Sequence, residues 1–560
     1  MIVVGGAGVF GSRLVRGLVE TTDAEVLVAG RDLGRAFVGS QTAGAHGALA
    51  IDRSMTSAAA AVLRAHKPDL VIDAAGPFQG ADLSFARAAI AAGVDYLDLA
   101  DGRDFVAAFP GLDKDAKAAG VRAACGASST PALSHAALDA MTAVWRRIDV
   151  IRAGISPGNR APRGKSVIEA ILSWAGGPVR VFADGDWTLH TGWGVGFRRT
   201  IEGLGRRRFA LAETPDLDLM VSRYAPCHEA LFFAGLELAL LHDGLGALAA
   251  LRRAGVVSDL RPMAAMLQKA AGLFEGLGSD VGGMFVEAFG RDGDNQPVRA
   301  EWTLVAPAGV GPFVPTLPAL ALARKLLAPN PTGGKAMAPG AQPCVGMLTL
   351  DDLAGDFARL GITTRMQDEP LRGPFETALG DRFALMPEAV RASHRAGPVT
   401  HLRGEAEVLG ATGLARLAAG PFGFPGATKE APTEVVKRMT AQASETWERR
   451  VGRARFRSRI AANGPGRVTE RFGPFTFDLA VEADATGMRL SIKGWRIGPL
   501  PMPAFLAPRS DATERVGPDG AFTFDVPIAA PLLGRLTHYK GWLRLPEPPH
   551  PPHHDETAAP

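Results

Sequence analysis

The sequence predicts an α/β protein: a doubly wound parallel sheet at the N-terminus, an α+β region in the middle and an antiparallel β-rich end. Three observations carry that prediction. Strand and helix patterns alternate as far as Cys125, a glycine-rich turn joins the first strand to the first helix, and strict period-two alternation takes over after Arg453.

Taken in order, Ile2 to Val4, Val26 to Ala29, Ala48 to Ile51, Leu70 to Ala74, Asp95 to Leu99 and Val121 to Ala124 are short apolar strands. Helical patterns separate them, starting at Ser12 and spanning Ser57 to Ala65, Leu83 to Ala92 and Leu112 to Ala119. Strands alternating with helices make a parallel sheet covered on both faces. After Cys125 the pattern changes. Val167 to Trp174, Ala230 to Leu241 and Pro262 to Leu273 read as helices, and Gly283 to Phe289 with Val298 to Val305 read as paired strands. Ala328 to Gly334 is rich in proline and glycine and reads as a loop inside this second region.

From Arg453 onward Arg453, Arg455, Arg457 and Arg459 alternate with Ala454, Phe456, Ser458 and Ile460, which is the pattern of a half-buried strand with a solvated arginine face. Phe475, Phe477, Leu479, Leu490, Ile492, Phe522, Phe524 and Val526 continue the inward set across further strands. Turns at Asn463 to Gly466, Ala485 to Gly487 and Pro518 to Gly520 separate them, as in a small sandwich or curved barrel. So bulky a face must be covered, either by another sheet with a helix such as Gly413 to Ala419 or by an apolar ligand. The expected domains are therefore residues 1–125, 126–367 and 373–545, with a disordered tail at 546–560 rich in proline and histidine.

Composition narrows the class. With 560 residues the chain exceeds a single core, and 47% hydrophobic against 21% charged residues describes a soluble globular protein. A net charge of +3 gives no reason to expect nucleic acid as a partner. Cys125, Cys227 and Cys344 are odd in number and lack CxxC spacing, which argues against a disulfide framework or a thiolate metal site and fits a reducing cytoplasm. The longest uncharged run is broken by prolines and glycines, so no transmembrane segment is expected. Only about four residues precede the first glycines, where strands commonly have five or six, so the true start is expected a few codons upstream.

The glycines carry the chemistry. Gly6-Ala7-Gly8-Val9-Phe10-Gly11 follows a strand and opens an amphipathic helix, the context of a Rossmann dinucleotide fingerprint. Gly6 is assigned the tight turn, Gly8 the close approach to a pyrophosphate and Gly11 the helix–sheet contact; Val9 and Phe10 complete the cofactor-binding turn. At the end of the second strand, where an NAD enzyme carries an acid for the ribose hydroxyls, the chain has Gly30-Arg31-Asp32. Arg31 can pair with a 2′-phosphate, which favours NADP over NAD. Asp32 either accepts a ribose hydroxyl or caps the following segment. Asp52 either reaches the adenine or caps the helix after Ser54.

With Asp73-Ala74-Ala75-Gly76-Pro77-Phe78 and Asp95-Tyr96-Leu97-Asp98, the first quarter of the chain resembles the saccharopine dehydrogenase family. The strand-rich end, with Glu470 to Pro474 and Tyr539 to Trp542, is similar to a domain of unknown function found fused to such proteins. The resemblance implies a nicotinamide enzyme acting on a carbonyl, imine or enoyl group of a small or lipid-like substrate. The alternative is a non-catalytic NADP-binding sensor or scaffold. The turn Ala75, Gly76, Pro77 and Phe78 is expected beside the nicotinamide, with the Phe78 ring as an apolar wall or as a lid on the core. Region 126–367 is expected to carry the substrate side of the cleft and any homodimer contact.

Tyr96 and Asp98 share one face of their strand and are the expected catalytic pair, with Asp101 just beyond; the competing reading makes Tyr96 core and Asp98 a loop tie. Family members often place a glycine–glutamate pair at this strand end. Here Gly102 is followed by Arg103, which removes that acid. Ser129 or Thr130 is expected to cap the helix bearing His135, or else to bind an anionic substrate group. Ser156 to Asn159, with Arg163 and Lys165, is a polar loop that either lines the same cleft or is solvated. Cys125 ends an apolar strand and reads as a buried small hydrophobe.

Overall fold

The computed structural model describes residues 1–162, 164–328, 337–413, 415, 424–441, 443–531 and 533–545. The tail at 546–560, Arg163, the Lys165 side chain, the loop at 329–334 and most of the segment 413–419 lie outside the described residues. The chain divides into two compact units, one of Met1–Asp294 with Arg299–Asp368 and one of Asn295–Val298 with Glu369–Pro560.

In the first unit β1 (Ile2–Val4), β2 (Leu27–Gly30), β3 (Gly47–Ala50), β4 (Leu70–Asp73), β5 (Asp95–Asp98) and β6 (Arg122–Cys125) pair in parallel. Helices α1 (Val9–Thr21), α2 (Leu33–Ala43), α3 (Thr56–His66), α4 (Ser84–Ala91), α5 (Arg103–Ala108) and α6 (Asp113–Ala119) connect them. The strand order is β15 (Gly340–Pro343), β6, β5, β4, β1, β2, β3, reversing between β1 and β4. The two faces of β1 feed different cores. Val3 packs with Leu14, Val15 and Leu18 of α1, whereas Ile2 and Val4 pack with Leu63 of α3 and Ile90 of α4. The seventh strand, β15 (Gly340–Pro343), returns from more than two hundred residues downstream to pair in parallel with β6. Its amide ladder gives it that place rather than any apolar signal in Gly-Ala-Gln-Pro.

After β6 come α7 (Ser134–Thr142), β7 (Arg147–Ser156), α8 (Lys165–Trp174), β8 (Pro178–Ala183), β9 (Asp186–Thr191), β10 (Gly196–Ile201), β11 (Gly205–Leu211), α9 (Asp216–Tyr224), β12 (Glu229–Ala234), β13 (Gly282–Arg291), β14 (Pro297–Ala306) and β16 (Thr363–Pro370). These strands form a mixed sheet, β10-β11-β12-β7-β13-β14-β16, with β8 and β9 attached at β12. The segment Ala230 to Leu241, expected as one helix, divides into strand β12 and a helix that starts only at Ala239. Ala230, Phe232 and Phe233 are all buried, and an apolar run covered on both faces has no alternation to separate strand from helix.

The second unit opens with short helices, Pro374–Leu379 and Glu388–His394. It continues as β17 (Val399–Leu409), β18 (Thr428–Ala441), β19 (Ser444–Val451), β20 (Ala454–Ala462), β21 (Arg467–Phe472), β22 (Phe475–Asp484), β23 (Gly487–Ile497), β24 (Leu500–Pro501), β25 (Arg509–Val516), β26 (Phe522–Ala530) and β27 (Gly534–Arg544). Each strand pairs antiparallel with its neighbour in the order β22-β21-β20-β19-β18-β17-β27-β26-β25-β23, and β22 pairs with β23 to close the ring. The product is a closed antiparallel barrel, with β24 appended to β23. Closure gives each of the ring strands a partner on both sides. Arg453, Arg455, Arg457 and Arg459 face solvent, and Phe456, Ser458 and Ile460 face the interior, as the alternation predicts.

Candidate functional site

The chain leaves β1 at Val4 and turns at Gly5, whose φ is +76° and whose amide donates to Ala29 O at 2.7 Å. A Cβ on Gly5 would lie 2.8 Å from Ala75 N, so the glycine turn and the Ala74–Pro77 turn meet where the strand order reverses. The tight turn therefore belongs to Gly5. Gly6, to which the sequence spacing assigns it, has no positive φ and is buried against Val28 and Val15. Gly11 does let the helix approach closely, since a Cβ there would overlap Gly5 O and sit 2.8 Å from Gly6 Cα. Gly8 is exposed and occupies the N-cap of α1 in extended backbone (φ −81°, ψ 177°), with no side chain capping the first turn. The amides of Val9, Phe10 and Gly11 thus begin a helix at an open glycine edge, an arrangement suited to a phosphate.

At the end of β2 two adjacent residues have separate duties. Asp32 accepts the Arg35 amide at 3.0 Å as the N-cap of α2, while Arg31 is exposed and has Asp52 as its electrostatic neighbour. Asp52 accepts both the amide (3.0 Å) and the hydroxyl (2.7 Å) of Ser54, bonds that hold its carboxyl below the usual range. Its local role is this turn, because α3 starts later, with Met55 at its N-cap.

The Ala75-Gly76-Pro77 turn is partly exposed at the carboxyl end of β4, and a residue the sequence reading passed over supports it from below. Arg53 donates to Asp73 Oδ2 at 2.8 Å and to Ala75 O at 2.7 Å, and its guanidinium lies 4.9 Å from the Phe78 ring centroid. Burial pushes the Asp73 carboxyl up and Arg53 opposes that. No sequence pattern points to this pairing, because Arg53 follows β3, which lies three places from β4 in the sheet. The Phe78 ring is buried edge-on to Phe105 at 5.2 Å, so it is a lid on the core and not an open wall.

The expected catalytic pair is also internal. Tyr96 is 1% exposed, with its ring 6.2 Å from Phe85 and 5.9 Å from Phe109. Asp98 is wholly buried, and its Oδ1 accepts the amides of Ala100 (3.0 Å) and Gly126 (2.7 Å), tying the end of β5 to the end of β6. Burial raises the Asp98 carboxyl to about 7 and pushes the Tyr96 phenol up. These are core and loop-tie positions. Asp101 is exposed just beyond them and accepts from Gln79 Nε2 at 3.1 Å.

Arg103, standing where the related glutamate would be, grips Asp218 of α9 with two bonds of 2.6 Å and donates to Arg180 O at 2.8 Å. It clamps the loop after β5 to the mixed-sheet elements. Ser129 and Thr130 do not cap α7; both are buried, and the Ser134 hydroxyl instead lies 2.8 Å from Asp216 Oδ2 and 2.9 Å from Pro131 O. His135 is likewise buried, stacked 5.4 Å from Tyr224 with Nε2 3.5 Å from Asp216 Oδ1. In the loop at Asn159 the described residues Ser156, Gly158 and Asn159 are buried. Glu237 accepts the Asn159 amide (2.7 Å) and the Ser279 amide and hydroxyl (2.9 and 2.7 Å), and Asn159 Nδ2 bonds Phe274 O and Leu277 O. Cys125 and Cys344 are buried, and among the described residues no group of acids, histidines and cysteines could hold a metal ion.

Residues 1–138 match the family model described as the saccharopine dehydrogenase NADP binding domain. The N-terminal part of this chain is such a domain. Residues 386–543 match a domain of unknown function, DUF4166. No curated protein matches the chain. Apo saccharopine dehydrogenase (L-Glu forming) from Saccharomyces cerevisiae is similar in structure at 14% identity and TM-score 0.47, over 66% of this chain and 99% of that one. GenD2 of gentamicin A biosynthesis, solved with NAD, aligns at 16% identity and TM-score 0.27, over 54% and 71% of the respective chains. A probable dehydrogenase from Thermotoga maritima aligns at 13% identity and TM-score 0.28, over 52% and 73%. The NADP binding domain takes a nicotinamide dinucleotide, and no helix among the described residues is long and apolar enough to cross a membrane.

Proposed function

We propose that this chain is an NADP-dependent oxidoreductase acting on a carbonyl, imine or enoyl group of a small or lipid-like molecule. The observation that carries the reading is the uncapped first turn of α1, opening at exposed Gly8 against the Ala74–Pro77 turn where the strand order reverses. In this reading the amides of Val9, Phe10 and Gly11 hold the pyrophosphate, and Ala75, Gly76 and Pro77 border the nicotinamide. Arg31 takes the 2′-phosphate, since Asp32 is committed to capping α2 and Asp52 to its turn. A bound reduced nicotinamide supplies hydride. Asp101 with Gln79 is the polar pair on the exposed lip and takes the proton-handling role expected of Tyr96 and Asp98.

One observation favours a second reading, a non-catalytic NADP-binding protein. Leu99, Ala100 and the whole of Gly126–Thr130 are buried, so the edge beyond β5 offers a substrate little room. Titration with NADPH and NADH, followed by a metabolite screen for NADPH oxidation, separates the readings. NADPH is expected to bind at least tenfold more tightly than NADH, with Arg31→Asp reversing the preference. Equal binding of both cofactors by the unaltered protein overturns the NADP assignment, and saturable NADPH binding with no oxidation across carbonyl, imine and enoyl classes selects the second reading.

A further inference from the structure

The barrel is not packed solid. Its interior holds a cavity of about 150 Å³, walled by apolar side chains that include Phe477, Leu479, Phe522 and Phe524. An engineered cavity of roughly this volume with a similar lining stays dry and admits benzene. Four charged groups also reach the wall, Lys437, Arg449, Glu470 and Glu514, two of each sign. Each already has partners. Arg449 donates to Glu470 at 3.0 Å and to Ser458 Oγ at 2.7 Å; Glu514 meets His394 Nε2 at 2.5 Å; Lys437 donates to Ser393 O at 2.7 Å and lies 3.8 Å from the Trp447 ring centroid. A charged ligand would bring an extra buried charge into a balanced set, at a desolvation cost of several kcal/mol. A neutral hydroxyl or carbonyl needs only one hydrogen bond from the same groups.

A surface cleft shares part of the cavity's wall. Ile492, Pro508 and Ser510 line both the interior and an adjoining surface cleft. The segment beside that cleft carries Leu500 (66% exposed) and Phe505 (76% exposed) and is pinned by Trp495 Nε1 donating to Pro503 O at 3.1 Å. Large apolar side chains displayed beside an apolar cavity are suited to guide an apolar molecule toward it.

We propose that the barrel is a binding site for a small neutral apolar molecule, a ring or chain of about six carbons with one hydroxyl or carbonyl group, entering past Phe505. The ligand's carbon body occupies the cavity and its oxygen meets the Arg449–Glu470 or Lys437 side of the wall.

The test is calorimetric titration of the full chain with benzyl alcohol and hexan-1-ol as neutral probes and with benzoate and hexanoate as their acid counterparts. At least one neutral probe is expected to saturate a single site and to bind at least tenfold more tightly than its acid. Ala512→Phe, which pushes a ring into the cavity from β25, is expected to abolish that binding while leaving NADPH binding unchanged. Val526→Phe on β26 makes the same test where the first variant fails to fold. Absence of saturable binding by both neutral probes, equal binding of the acids, or unchanged binding in the filled variant overturns the proposal.

Discussion

Gly11→Ala is the sharpest test of how the N-terminal turn is built. The added methyl would overlap Gly5 O and lie 2.8 Å from both Gly5 C and Gly6 Cα, against an optimum of about 3.5–4.0 Å between carbon atoms. Everything it meets is backbone, so no side chain can rotate away, and relief requires α1 to retreat from β1 by roughly 1 Å. Such overpacking costs about 1–3 kcal/mol. The same retreat carries the amides of Val9, Phe10 and Gly11 out of hydrogen-bond reach of a phosphate. Losing even one charge-assisted bond, at about 1.5–3 kcal/mol, weakens binding by roughly tenfold or more. Gly111→Ala is the control, because its Cβ meets nothing within 4 Å and its φ is not positive; it is expected to be neutral or slightly stabilising. Denaturant unfolding and NADPH titration of both variants read the two effects. If Gly11→Ala matches the parent in stability and affinity, the close approach at this turn is not what organises the site.

Arg53→Ala leaves Asp73 buried without its cation and frees Ala75 O, so a loss of about 1–3 kcal/mol is expected together with weaker NADPH binding; unchanged affinity by titration would show that the Ala74–Pro77 turn does not need this support. Asp98→Asn keeps an oxygen for both amides and removes an acid raised to about 7. A raised carboxyl contributes stability that is full below its unfolded value near 3.8 and lost as pH rises through 7, so the variant is expected to flatten unfolding free energy against pH in that window. Glu287 runs the other way. Against the cost of burial, Arg199, Arg299 and Arg152 hold it at about 2, its stabilisation is present above 4.5 and lost as pH falls through 2, so Glu287→Gln is expected to be less stable than the parent above 4.5 and to show a flatter dependence of unfolding free energy on pH below that, by the same measurement. Arg103→Ala is expected to cost about 2–3 kcal/mol in denaturant unfolding, less than for a fully buried pair because Asp218 is partly exposed and keeps Arg180; a drop in NADPH affinity larger than the stability change would instead place Arg103 in the site.

Local rules made the N-terminal half of the site legible. A strand, a glycine turn and an amphipathic helix are set by neighbours in sequence, and so were the solvated arginines of β20 and the buried Cys125. Gly6 was read as the turn glycine in place of Gly5 because GxGxxG spacing does not say which glycine bears the positive φ in a run of Gly-Gly-Ala-Gly. Tyr96 and Asp98 share a strand face as period two requires, but whether that face meets solvent or Phe85 and Phe109 depends on the helices packed over it. Arg53 and Arg103 were overlooked because their partners lie at distances in sequence from which no pattern arises, Asp73 across the sheet and Asp218 on α9.

By itself the sequence determined that the first strands run parallel, that an amphipathic helix follows the glycine turn, and which faces of the late strands point inward and outward. Each follows from the backbone conformation and hydrophobic period of a few adjacent residues. Tertiary structure alone decided that Gly340–Pro343 returns to the first sheet, that Ala230–Ala234 is a strand, and that β22 pairs with β23 to close a barrel. It also decided that the inward aromatics of that barrel surround a cavity instead of filling it. Those outcomes depend on which distant amides find each other and on the volume a closed ring of strands encloses, and neither quantity is written in any short stretch of the chain.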